Sequence, residues 1–70
     1  MKVRRVAAGY YTVETDRGVF EICRTTLEDV ASEFRTEWFV TWPGERLPDG
    51  VTRTLREAKA MVAAEIEETS

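Results

Sequence analysis

Seventy residues with ten basic and thirteen acidic side chains, 43% hydrophobic and 33% charged, describe a folded chain of one domain, residues 1–70, with a net charge of −3. A chain of this size buries only about 60% of its unfolded surface, and such chains are commonly reinforced by disulfides, a metal or a second subunit. Cys23 is the only cysteine and histidine is absent, which excludes an internal disulfide and a thiolate zinc site and removes the usual general base near neutral pH.

No run approaches the roughly 20 apolar residues of a membrane span, and the negative charge disfavours nonspecific attraction to nucleic acid or an anionic membrane. The apolar run in "MKVRRVAAGYY" is too short for a secretory signal. With one cysteine, the expected setting is a reducing cytoplasm.

Residues 10–24, "YYTVETDRGVFEICR", read as a β-hairpin, with apolar and polar positions alternating on both sides of the turn-forming "TDRG". With Asp16 and Arg17 at the tip, Val13 lies opposite Phe20 and Tyr11 opposite Ile22. Upstream, "KVRRVAA" extends the first strand, and Gly9 marks a bend or bulge. In residues 26–35, "TLEDVASEFR", Leu27, Val30, Ala31 and Phe34 fall at i, i+3, i+4 and i+7, which predicts a short helix behind a Thr26 cap, with an ordered loop as the alternative because three turns are marginal without docking.

Residues 36–42, "TEWFVTW", form the third strand, and "PGERLPDG" ends it with two prolines and two glycines. In the last element, "TLREAKAMVAAEIEE", Thr54 and Glu57 have the spacing of a capping box. Leu55, Ala58, Val62 and Ile66 form one helical stripe, with Met61 at its edge. The expected architecture is α+β: a three-stranded antiparallel sheet (β-β-short α-β-α) with the carboxy-terminal helix packed on one face.

Parity then divides the sheet. Tyr11, Val13, Phe20, Ile22, Trp38, Val40 and Trp42 belong beneath the helix. The opposite face shows Tyr10, Thr12, Glu14, Val19, Glu21, Cys23, Glu37, Phe39 and Thr41, with three glutamates and neither Lys nor Arg. Tyr10, Val19, Cys23 and Phe39 make an apolar patch on that face, rimmed by Glu14, Glu21 and Glu37. An apolar centre with a charged rim is the make-up of a protein–protein interface. Single exposed hydrophobes are ordinary on any surface, and the short helix could swing round to cover these.

Catalysis finds little support. The acidic pairs Glu28–Asp29 and Glu67–Glu68 are adjacent in sequence and do not face one another on a helix. Cys23 lacks a base to activate it. No phosphate loop, dinucleotide fingerprint or metal motif occurs. The expectation is a non-catalytic protein without cofactor or small-molecule ligand.

A three-stranded sheet followed by a helix, with "TLREAKAMV" in that helix, resembles the arm-type DNA-binding domains of phage integrases and the plant AP2 domain. The resemblance covers the order of elements and about nine residues. It implies a sheet face that enters the major groove, and basic residues to grip phosphate. Lys2, Arg4 and Arg5 at the amino terminus, with Arg53, Arg56 and Lys59 around the last helix, are the candidates. The acidic outer face opposes that reading, because phosphate neutralisation supplies most of the affinity for DNA. In its Arg/Glu-rich, Lys-poor style and "TLREAK" ending, the chain is similar to small uncharacterised actinobacterial and actinobacteriophage proteins. This similarity implies an accessory protein that binds a host protein or a second copy of itself, in the host cytoplasm if phage-encoded. Phe39 and Tyr10 are then the expected aromatic anchors.

Overall fold

The computed structural model describes residues 2–28 and 34–68. Its elements are β1 (Lys2–Ala7), β2 (Tyr10–Thr15), β3 (Gly18–Glu28), β4 (Phe34–Thr41), β5 (Gly50–Thr52) and α1 (Leu55–Glu68). They form an α+β fold: one five-stranded antiparallel sheet in the order β1-β2-β3-β4-β5, with the carboxy-terminal helix against it.

The β2–β3 hairpin has the expected register, with Val13 opposite Phe20 and Tyr11 opposite Ile22. Asp16 and Arg17 form its turn, and Thr15 closes it. Its hydroxyl accepts from the Arg17 N–H at 3.1 Å and donates to the Gly18 carbonyl at 2.9 Å. Gly18 follows at φ 119°, a conformation that a Cβ would strain.

Three expectations need correction. Residues 2–7 do not extend β2; they fold back on it as a separate strand. Ala8 and Gly9 reverse the chain, with Gly9 at φ 75°, and a register shift between Arg5 and Ala7 makes Val6 the extra residue of a bulge. The "PGERLPDG" segment releases a fifth strand, β5, which pairs Gly50 with Val40, Val51 with Phe39 and Thr52 with Trp38. Asp49 fastens this return: its N–H donates to the Val40 carbonyl at 2.9 Å, and its carboxylate accepts from the Trp42 N–H at 2.8 Å. The ends of the predicted short helix are strand instead, since Thr26, Leu27 and Glu28 pair with Thr36, Arg35 and Phe34. Strand pairing, carried outward from the sheet, prevails there over the helical spacing. The middle of that segment, 29–33, lies outside the described residues.

The helix begins as its sequence predicts, with one change of partner. The Glu57 N–H donates to the Thr54 hydroxyl at 3.1 Å, but the Glu57 carboxylate accepts from the Arg53 N–H at 3.3 Å, one residue before the cap. Ala58 and Val62 are fully buried against Val13, Phe20, Ile22 and Val40, with Tyr11, Trp38, Trp42, Leu55, Met61 and Ile66 packed around them. Both indoles thus lie on the helix side. Trp42 meets Phe20 edge-on at 5.5 Å between centroids, and Trp38 lies 6.0 Å from Tyr11 with the Arg24 guanidinium over its ring. Gly50 lets the helix approach, because a Cβ there would collide with the Met61 thioether.

Candidate protein-interaction face

The opposite face of the sheet is set by the same registers. Tyr10 stands across from Cys23, Cys23 from Phe39, and Phe39 from Val51. These four side chains form one row over β2, β3, β4 and β5, on the side away from α1. Tyr10 and Phe39 are half-buried, while Cys23 and Val51 are exposed. Each partly shields its neighbours, as cross-strand neighbours about 5 Å apart do. The row is therefore a continuous apolar ridge with open sides.

The next row, Thr12, Glu21 and Thr41, is polar, and the one beyond pairs Glu14 with Val19. Val19 is exposed but stands apart from the other three sequence-predicted residues, with the Glu21 row between. Val51 takes the place expected of it. The sequence signal for Val51 was two β-branched residues, Val51 and Thr52, directly after the "PDG" turn. On the other side of the ridge, Glu37 stands opposite Thr25.

Tyr10 and Glu21 form a diagonal pair across β2 and β3. The carboxylate charge, helped by partial burial and a phenol–carboxylate hydrogen bond, raises the Tyr10 pKa above its ordinary 10.0. The phenol is thus held protonated as a donor to Glu21, which ties the ridge to its acidic rim.

The outer face is not purely acidic. The β1–β2 register places Lys2 opposite Glu14 and Arg4 opposite Thr12, so both cations join this face along one edge. Their appearance follows from the chain reversal at Ala8–Gly9. Arg5, opposite Tyr11, stands on the helix side. The candidate phosphate-binding residues are not gathered. Lys2, Arg4 and Arg5 lie on one edge strand, while Arg53 and Arg56 follow β5, the other edge. Four interstrand spacings, about 19 Å, separate the two edges.

Among the described residues, no group of three or more His, Cys, Asp or Glu side chains is placed to hold a metal, and no helix is long and apolar enough to cross a membrane. No family model, curated protein or solved structure matches the chain.

Proposed function

We propose that this chain is a small non-catalytic accessory protein that works by docking a protein surface on the uncovered face of its sheet. The observation that carries this reading is the ridge of Tyr10, Cys23, Phe39 and Val51 across four strands, with no helix above it among the described residues. Phe39 is its central aromatic anchor, the kind of side chain that dominates interface energetics. A second copy of the chain is the first candidate partner. The face carries both signs of charge, Lys2 and Arg4 against Glu14, Glu21 and Glu37, so opposite charges are available to pair between two copies.

Cys23 supplies the test. Sedimentation equilibrium should show a dimer, and the rate of Cys23 alkylation should fall as protein concentration rises. Phe39→Glu should abolish both effects with the helical circular dichroism unchanged. If the protein is monomeric, capture of one specific cellular protein that Phe39→Glu eliminates is the remaining form of the proposal. A monomer that captures nothing ends it.

A second reading, sheet-mediated DNA binding, gains Lys2 and Arg4 from the observed register. It still has three glutamates on the face that would approach phosphate. A duplex-DNA shift that weakens steeply with salt and on Arg4→Ala would favour it.

A further inference from the structure

Apart from the ridge, β1 is the most unusual element of the molecule. All six of its residues are exposed. It is the outermost strand, and its contacts are with β2, while α1 lies against β3, β4 and β5. Alternate residues of an edge strand turn their N–H and C=O groups away from the sheet, forming a template for another strand.

The charge of this edge is one-sided. Lys2, Arg4 and Arg5 stand on it without any acidic residue, whereas the seven other basic residues face thirteen acidic ones, leaving the rest of the chain at −6. Val3, between Lys2 and Arg4, and Val6, after Arg5, are 37% and 55% exposed and add apolar surface.

We infer that β1 is a strand-addition site for an extended acidic segment of a partner protein. Such a segment would continue the sheet as a sixth strand, its carboxylates opposite Lys2 and Arg4 on the outer face and Arg5 on the helix side. An aliphatic residue would lie against Val3. A second β1 is the wrong occupant, because antiparallel self-pairing sets cation against cation, which destabilises directly opposed residues. Nucleic acid is also disfavoured. Glu14 sits across from Lys2, and Glu21 lies in the row of Arg4 and Thr12, so phosphates laid across the face would meet carboxylates. A peptide strand added at the open edge stays one strand farther from both.

The probe is a blocked peptide of sequence Thr-Glu-Glu-Val-Glu-Thr, ordered to run antiparallel to Arg5 through Lys2, titrated into the full chain and followed by amide NMR. Saturable shifts and slowed hydrogen exchange should be confined to β1 and the adjacent β2, with a dissociation constant of about 1 mM or tighter. Replacing the three glutamates by glutamine should weaken binding about tenfold. N-methylation of the peptide on its pairing edge should abolish it.

The double variant Arg4→Glu/Arg5→Glu should lose the acidic peptide and accept one with lysine in place of glutamate. This swap reports on the edge itself and keeps an exposed strand exposed. Phe39→Glu should leave peptide binding unchanged, so failure here and failure of the ridge are separable. The inference is overturned by absence of binding, by shifts that centre on Tyr10, Cys23 and Phe39, or by indifference to N-methylation. Tighter binding of duplex DNA than of the peptide at the same residues also overturns it.

Discussion

Phe39 and Val40 are neighbours in β4 with opposite surroundings, and truncating each to alanine separates the core from the proposed interface. Val40 is fully buried beneath α1. Val40→Ala removes two carbons worth about 0.8 kcal/mol each, plus a cavity term, or about 2–3 kcal/mol in all. A domain of this length has a total stability of roughly 3.5–10 kcal/mol, so that loss is a large share of it. The melting temperature should fall by about 10–20 °C, at 4–8 °C per kcal/mol. Phe39 is half-buried on the far face, and Phe39→Ala should cost the monomer about 1 kcal/mol. Its larger effect should fall on association. The wild-type melting temperature should rise with protein concentration, as it does for any assembly that forms only from the folded state, and Phe39→Ala should flatten that dependence. Thermal melts across a hundredfold range of concentration for all three proteins decide the point. If Phe39→Ala costs as much as Val40→Ala and keeps the wild-type concentration dependence, the ring belongs to a second core and the docking argument fails.

Thr54→Ala should cost about 1 kcal/mol by freeing the capped Glu57 N–H, and Thr54→Ser should recover most of it in the same melts. Gly50→Ala should cost no more than about 1 kcal/mol, because the Met61 thioether that the new Cβ meets ends a flexible side chain that can turn aside; in a Met61→Ala background the cost should vanish, a coupling that a double-mutant cycle measures. Because the folded-state pKa of Tyr10 lies above its unfolded value of 10.0, the stability from its contact with Glu21 is complete below about pH 10 and is lost as pH rises through the raised value. Glu21→Gln should bring Tyr10 ionisation, read from its ring-carbon NMR shift, back toward the ordinary value, and an unchanged midpoint would refute the pairing.

The parts of the fold that could be read from sequence are those with two agreeing signals. In β2 and β3, alternation and a "TDRG" turn point to one register, and the pairs follow from it. In α1, a cap at Thr54 and the stripe of Leu55, Ala58, Val62 and Ile66 agree. Where a single signal stood alone, it misled. Gly9 is compatible with a bend in one strand or a turn between two, and alternation runs on either side of it in both cases. Leu27, Val30, Ala31 and Phe34 have helical spacing, but Thr25, Thr26 and Thr36 suit strands, and pairing between β3 and β4 decides the ends of that segment. β5 is only three residues long, too short for any periodicity to register. The site shares this division: Tyr10, Cys23 and Phe39 come from strands whose register was legible. Val51, Lys2 and Arg4 come from the two strands that were not.

The geometry of one helix on five strands explains why so much of this small sheet is bare. A helix is about 10 Å across with its side chains, while five strands span about 19 Å between their outer backbones. One helix therefore covers about half of one face, and here it lies chiefly over β3, β4 and β5 and reaches Val13 of β2. The remaining surface must stay soluble by its own side chains. That need accounts for charge on β1 and for Glu14, Glu21 and Glu37 on the outer face. It does not account for a uniform sign on β1, since alternating Glu and Lys would protect an edge equally well. Nor does it account for Tyr10 and Phe39, because threonine occupies equivalent positions one row away, at Thr12 and Thr41, and suits a bare strand without any apolar ring. The two features that solubility leaves unexplained, an all-cationic edge and an aromatic ridge, are the two surfaces proposed for binding.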